Sequence, residues 1–478
     1  MKKLSVVLAA VLAVLAFTLP ASAFENEFGG YWRTRYFTNQ NFSGEDQTGK
    51  QDETTIDTRT RLYYTAKFSD NLKFVNQFEF NANWGQNGTY GQLGADANPT
   101  GTSVNYFRLK RSFVDFKLSD QEFRVGVQDF LLARGYLMND DAAGVKAIFK
   151  VNDAIYLPLI YMKINENGSD TGKLTSPITG DTLNANRFDV DAYVFYPSIY
   201  LNKDNVFRPH IATIQSENFT LATAKNQNMN PLEGTKLNLW SAGLEYDGKY
   251  DIYSFGATGV FEFGNLSNPA IYKWKNDNLN FGGYLLDASG AVDIGPANVH
   301  LKGIYSSGDK TQSDGKGTAN VPYDLNSKNY NMFLAPGTNV INGASYYWAE
   351  IMGAGIFDNQ TPAGTSGDKI SNMIIANLGS TYQLLPDLKF AADLYYAQLA
   401  EDRNMSVKPG VTNWQSSLGT EADLVITYTL VDNLKLDLVG AYLWSGDVIN
   451  KALVNPTTGQ YYNSANPSEF GTQLSLSF

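Results

Sequence analysis

The sequence predicts an all-β fold: a transmembrane, up-and-down antiparallel β-barrel of about eighteen strands, with sixteen as the alternative count. Three observations predict it. Apolar and polar residues alternate at period two over runs of twelve to fifteen residues, far beyond the roughly five or six of an ordinary soluble strand. Short turns and long polar segments succeed one another strictly, the asymmetry of barrels that cross a bilayer. After the N-terminus no segment approaches the roughly eighteen continuous apolar residues of a helical span.

At the N-terminus, Lys2 and Lys3 precede an apolar run from Leu4 to Leu19, and Ala21-Ser22-Ala23 supplies the small residues of a cleavage site. This is the form of a secretory signal, so residues 1–23 are assigned to a signal peptide and 24–478 to the barrel. Asp57–Phe68 puts Thr58, Thr60, Leu62, Tyr64, Ala66 and Phe68 on one face, with Arg59, Arg61, Tyr63, Thr65 and Lys67 on the other. After Ser69–Asn71 the pattern restarts, with Leu72, Phe74, Phe78 and Phe80 opposing Lys73, Gln77 and Glu79. At the far end Phe470, Thr472, Leu474, Leu476 and Phe478 share one face, against Gly471, Gln473, Ser475 and Ser477. A final strand ending on an aromatic residue resembles the terminal strand of outer-membrane barrels, which makes Phe478 the expected signal to the barrel assembly machinery.

Turns rich in Asp, Asn, Gly and Pro are expected at Ser69–Asn71, Ser119–Gln121, Val151–Asp153, Asn202–Asn205, Asp247–Tyr250, Gly295–Asn298, Leu385–Asp387 and Val431–Asn433. Two strands flank each of these eight turns and the termini add one each, which gives the eighteen. Pro158 and Pro209 fall inside apolar runs, and since proline removes a ladder donor, bulges or rim positions are expected there. Residues 307–369 break the rhythm. This long external loop is rich in Gly, Asn, Ser and Asp, and its 344–352 stretch suits a short helix or a partial strand. It either folds into the lumen or caps the mouth, or else stays a mobile surface loop.

Composition narrows the function. There are 29 Tyr and 28 Phe against 7 Trp, a load suited to interfacial girdles. With no cysteine, neither disulfides nor thiolate metal sites hold the fold. The formal charge of −11 becomes −13 when Lys2 and Lys3 leave with the signal, which argues against a nucleic-acid partner. His210 and His300 are the only histidines. Both lie beside short turns, so neither is assigned a catalytic role, and no cofactor or metal site is expected.

Arginine is unevenly placed. Eight of eleven (33, 35, 59, 61, 108, 111, 124 and 134) precede residue 135. Arg33 with Arg35 and Arg59 with Arg61 share faces on successive strands and should merge into a basic strip inside the barrel. Arg33, Arg35, Arg59, Arg61, Lys73, Glu79, Arg111 and Arg124 are therefore the expected pore-lining residues, with Lys67, Lys146 and Lys150 extending the strip. Such ladders favour anions. The competing role is structural, with the arginines paired to Glu79, Asp115 and Asp129 across strands. The strand around Arg108–Arg111 is ambiguous in phase. Tyr63, Tyr193, Phe195 and Tyr395 fall on expected inner faces and would suit stacking against sugars.

Four stretches resemble porins of the alginate-export type: Thr58–Leu62 with the turn Phe68–Phe74, Phe123–Gln128, Tyr305–Asp309, and most specifically Leu418–Leu424 continuing to Trp444–Asp447. The resemblance implies an eighteen-stranded barrel with an arginine-containing pore in the outer membrane of a Gram-negative cell. It implies a passive channel for small hydrophilic solutes, with anion or oligosaccharide preference, surrounded by outer-membrane lipid and lipopolysaccharide. A homotrimer is the oligomer expected of wide porins. The alternative function, from another class, is a barrel sheath around a periplasmic electron-transfer or secretion partner.

Overall fold

The computed structural model describes residues 24–42, 52–84, 105–165, 190–216, 236–267, 278–310, 328–334, 345–357, 361–362, 364–406, 413–452 and 464–478, with four further residue pairs described by backbone alone (174–175, 182–183, 312–313 and 320–321). The signal assignment at 1–23 lies outside the described residues.

Eighteen strands form one closed sheet. They are β1 (Glu25–Gln40), β2 (Glu53–Ser69), β3 (Leu72–Asn83), β4 (Asn105–Leu118), β5 (Gln121–Leu132), β6 (Met138–Asn152) and β7 (Ile155–Asn165). Next come β8 (Val190–Phe195, resuming as Ser198–Asn202), β9 (Asn205–Ser216), β10 (Lys236–Tyr250), β11 (Tyr253–Ser267) and β12 (Asn278–Phe281, resuming as Tyr284–Ile294). The circuit ends with β13 (Ala297–Ser306), β14 (Met373–Leu385), β15 (Leu388–Asn404), β16 (Trp414–Val431), β17 (Leu434–Ser445) and β18 (Ser468–Ser477). Each strand pairs antiparallel with the next, and β18 returns to β1 from Tyr31↔Ser477 to Gln40↔Ser468. The expected strand number and topology are therefore those observed.

All eight short connections are two residues long, from Asp70–Asn71 to Asp432–Asn433. Ser119, Asp251 and Asn433 take left-handed φ values of 54, 54 and 67° there, as tight hairpins demand. One expected turn is displaced. Asp247–Tyr250 belongs to β10, and the turn is Asp251–Ile252, because the polar side chains of Asp247 and Lys249 face inward and do not mark a chain reversal. Pro209 pairs with Leu244 in unbroken register, so no bulge forms. Both prolines sit within five residues of a short turn, at the rim, and β8 is interrupted beside Pro158, where the Tyr196 N–H donates to its carbonyl at 3.1 Å.

The outer face is apolar from end to end, with Leu62, Leu109, Leu301, Leu378 and Leu424 all exposed. Two aromatic belts bound it. Phe28, Phe68, Tyr250, Tyr382 and Tyr428 lie near the short turns, and Trp84, Trp414, Tyr442 and Trp444 near the long-loop end. That is the surface of a membrane-spanning barrel.

The inner face departs from simple expectation. On β8 to β14 it is polar near the short turns and mostly apolar near the loops, whereas on β1 to β6 charged residues such as Asp57, Glu79 and Asp141 reach the loop half. In β10 it runs from Leu237 and Leu239 to Ser241, Glu245 and Asp247; in β13, from Ile304 to Lys302 and His300. The apolar half is not lipid-facing. It packs against inward segments carrying Leu137, Phe333, Leu334, Ile351 and Met352, all buried in one cluster with Val260, Leu285, Ile375 and Leu443.

Closure rests on a close approach at the seam. The Gly30 N–H donates to the Phe478 carbonyl at 2.7 Å and the Phe478 N–H to Gly30 at 3.1 Å. A Cβ on Gly30 would lie 2.5 Å from the Phe478 ring and 2.7 Å from the Arg61 carbonyl oxygen. Gly30→Val should therefore lower stability by about 1–3 kcal/mol, seen as a lower urea midpoint for the lipid-folded barrel. Gly303→Ala, where a Cβ meets open space, should leave the midpoint within about 0.5 kcal/mol of wild type.

Candidate functional site

The basic strip forms as the alternation requires, and register decides its pairing. Arg33 opposes Arg59, Arg35 opposes Asp57, and Tyr31 opposes Arg61 across β1 and β2. Arg35 Nε donates to both Asp57 oxygens, at 2.9 and 3.1 Å. Glu79, fully buried, gathers three guanidiniums: Arg61 at 2.7 Å, Arg108 at 2.6 Å and Arg59 at 3.9 Å. The Arg59 Nε itself donates to Asn81 at 2.7 Å. Lower on the wall Asp115 takes Arg124 at 2.6 Å and Lys73 at 3.3 Å. The Arg124 guanidinium also lies 4.2 Å from the centre of the Phe113 ring, within cation–π reach.

A bulge resolves the ambiguous strand. Register slips between Gln77 and Phe78 of β3, so Arg111 pairs with Gln77 while Arg108 pairs with Glu79. One residue is thereby inserted into the alternation. Leu109 stays outside and more than half exposed, while Arg108, Lys110 and Arg111 all turn inward. Lys110 and Arg111 share Asp141, Arg111 at 2.6 Å, and Arg111 also reaches Asp129 at 3.2 Å. All eight expected lining residues thus face inward, and most are paired. Asp57 and Asp141 were missed. Asp57 stands in register opposite Arg35, a signal that alternation plus a trial register would have found.

The pairing is unequal. Four guanidiniums (Arg35, Arg59, Arg61, Arg108) share two carboxylates, Asp57 and Glu79, and a fifth, Arg33, stands beside them opposite Arg59. Arg33 is buried, and its Nε has no hydrogen-bond acceptor among the described residues.

The opposite wall is acidic. Glu245, Asp247, Glu262, Asp287, Asp393, Glu421, Asp423 and Asp437 lie on the inner face of β10 to β17. Two segments reach it. At 133–137, between β5 and β6, Ala133 and Arg134 adopt left-handed φ values of 49 and 56°, a conformation unfavourable for side-chain-bearing residues. It delivers the Arg134 guanidinium to Asp247 at 2.7 Å, Thr258 at 2.7 Å and the Tyr246 carbonyl at 2.9 Å. Tyr136 donates to Asp287 and stacks on Tyr346 with ring centres 4.4 Å apart, and Lys302 bonds Asp287 at 3.0 Å.

Tyr346 begins the second segment, 345–357, which forms successive turns and neither the helix nor the strand its sequence suits. It runs from Tyr136 past β16 to β1, where Phe357 stacks on Phe37 at 5.2 Å and its carbonyl accepts from Arg35. Midway, the Ile351 and Met352 N–H groups donate to Glu421 at 2.5 and 2.9 Å. Arg134, Tyr136, Glu421 and Asp423 carried no local motif and were not anticipated.

Two aromatic expectations fail. Tyr193 and Phe195 point outward, because Ala192 and Val194 of β8 are the buried, inward residues. Tyr63 and Tyr395 are inner-face residues, and Tyr395 packs edge-on against Trp348 at 5.8 Å. His300 sits 2.8 Å from Asp393, and the buried His210 packs against Tyr196 at 5.4 Å.

No family model matches the chain, and none of the curated proteins matches it. Solved structures do. OccAB1 of Acinetobacter baumannii superposes with a TM-score of 0.54 at 12% identity, covering 95% of this chain and 97% of its own. OccK9 (OpdG) of Pseudomonas aeruginosa gives 0.53 at 12% identity, covering 95% and 99%. OpdK of Pseudomonas aeruginosa, solved with vanillate, gives 0.51 at 12% identity, covering 95% and 98%. The fold is that of bacterial outer-membrane porins.

Glu79 is the most heavily loaded residue of this porin-type wall. Glu79→Gln would leave three guanidiniums facing one another, each with between a fifth and a half of its side-chain surface in water. The expected loss is about 3 kcal/mol, the low end for breaking a buried pair. Urea unfolding of the lipid-folded barrel measures it.

Proposed function

We propose that this chain is a passive outer-membrane channel for small hydrophilic solutes, with a preference for anions. The observation that carries it is a local cluster of guanidiniums on the inner wall of a closed eighteen-strand barrel, where Arg33, Arg35, Arg59, Arg61 and Arg108 stand around the two carboxylates of Asp57 and Glu79. A barrel of this size is too wide for its own side chains to fill. Cations ranked along its wall lower the cost of moving an anion from water into the narrows. The segments 133–137 and 345–357 narrow the channel in this proposal, since both cross to the far wall.

Transport would need no covalent chemistry. The solutes are free hydrophilic molecules, and small carboxylates fit the strip because arginine binds their two oxygens as a planar fork. OpdK solved with vanillate supports that class by analogy. A likeness to porins of the alginate-export type is the finer reading, carried by the Leu418–Leu424 block and by the strand number, and from it only the pore is taken, not polymer export. Phe478, exposed on the outer face, is assigned to recognition by the barrel assembly machinery, with outer-membrane lipid and lipopolysaccharide around the belts and a homotrimer as the assembled form.

Planar-bilayer recording tests the proposal. In a tenfold potassium chloride gradient the reversal potential should show chloride preference. Arg33→Gln with Arg59→Gln should reduce the chloride-to-potassium permeability ratio severalfold while current persists. Cation preference in the wild type contradicts the anion assignment. Absence of any current would favour a sheath around a partner.

A further inference from the structure

The middle of the 345–357 segment packs its apolar side chains into the buried cluster, and its hydrogen bonds to the wall are accepted by carboxylates. The Glu350 N–H donates to Asp423 at 3.1 Å, beside the two bonds to Glu421. The Glu350 carboxyl folds back to accept the Ile356 N–H at 2.8 Å. It borders a hollow of about 280 Å³ shared with Trp348, Asp393, Tyr395 and Asp423. One Asp423 oxygen, Oδ1, is buried with no hydrogen-bond partner among the described residues.

The charged and titratable groups facing Glu350 are almost all acids. Asp423 and Glu421 come from β16, Asp393 and Tyr395 from β15, and Asp437 from β17. Behind Asp393 stands His300 of β13, at 2.8 Å. Among the described residues no lysine or arginine pairs with Glu350, Glu421 or Asp423. A second or third negative charge here has no counter-ion to offset it.

The ends of the segment are held differently. At one end the Ser345 carbonyl accepts from Asn139 at 3.0 Å and Tyr346 stacks on Tyr136. At the other, Phe357 stacks on Phe37 and accepts from Arg35. Between them Ala354 has a left-handed φ of 67°, flanked by Gly353 and Gly355, where a Cβ on Gly355 would collide with the Glu350 carboxylate. The titratable anchor therefore lies between two fixed ends and packs against a glycine-flanked bend.

We propose that Glu350 is a proton-operated latch: protonated, it seats the 349–352 turn against Glu421 and Asp423 and keeps the channel narrow; ionised, it drives the turn off the wall. This rests on the channel function proposed above. Burial pushes the Glu350 carboxyl up from its ordinary 4.5 to about 7. The sign follows by linkage. A carboxyl raised in the seated state favours seating fully below pH 4.5 and loses that contribution as pH rises through about 7. Full ionisation should weaken seating by up to about 300-fold, at tenfold per pH unit of displacement.

The test uses the mature full-length chain folded in lipid, as wild type and as Glu350→Gln, at pH 5.5, 7 and 8.5. Single-channel conductance of the wild type should rise at least twofold across this range, with its midpoint near 7. The variant should keep the acid-pH conductance throughout. Hydrogen exchange, corrected for intrinsic rate, should show the Glu350, Ile351 and Met352 amides protected at pH 5.5 and unprotected at 8.5 in the wild type alone. Amide protection independent of pH in the wild type overturns the latch, as does a variant that follows the wild-type curve. The exchange measurement needs no current, so a barrel that opens its amides but conducts nothing supports the latch and contradicts the channel.

Discussion

The ladder between β18 and β1, from Gln40↔Ser468 to Tyr31↔Ser477 and ending on the Gly30–Phe478 bonds, removes the last two open edges of a sheet that would otherwise present a row of peptide groups to hydrocarbon. In a bilayer core no water can satisfy those groups, and each one left unpaired costs several kcal/mol. Closure therefore permits everything else: the uniform greasy exterior, the two aromatic belts and an interior free to differ from it. It also explains why a chain with charged residues in so many strands need not expose them to lipid. Most of them occupy every second position, and closure puts that face inside.

The interior is divided twice. Along the axis of β8 to β14 it passes from polar near the short turns to mostly apolar near the loops, where segments carrying Leu334, Ile351 and Met352 fill the space. Around the circumference it passes from basic on β1 to β6 to acidic on β10 to β17. The crossing segments join the two walls by their charges. Arg134 carries a cation to Asp247, while the N–H groups near residue 350 carry partial positive charge to Glu421 and Asp423. The loops thus serve as core and as electrostatic filling at once.

Much of this was legible from residues alone. Period-two alternation is local, so the strands, the outer face and the inward direction of Arg33, Arg35, Arg59 and Arg61 followed from sequence, and turn chemistry supplied the count. What alternation cannot carry is a change of environment along one face. Leu237 and Leu239 look lipid-facing or doubly buried until 345–357 and its neighbours are known to lie within. The same blindness misplaced Tyr193 and Phe195, since Ala192 and Val194 give no polar mark to the inner side. A bulge is invisible too, because one inserted residue resembles a phase error, and Lys110 beside Arg111 was therefore unassignable. Contacts such as Arg134 with Asp247, separated by 113 residues, have no local signature.

The account stands on the two faces of each strand meeting different solvents, and the chain, having no cysteine, permits a direct test. Single cysteines placed from Thr58 to Tyr64 in β2, in the lipid-folded protein, should divide strictly by position. Cysteines at 59, 61 and 63 should react with a membrane-impermeant thiol reagent, whereas those at 58, 60, 62 and 64 should be shielded from it and quenched by a lipid-borne probe. Equal reactivity at odd and even positions would mean that no wet interior faces away from a bilayer, and the closed barrel would be wrong.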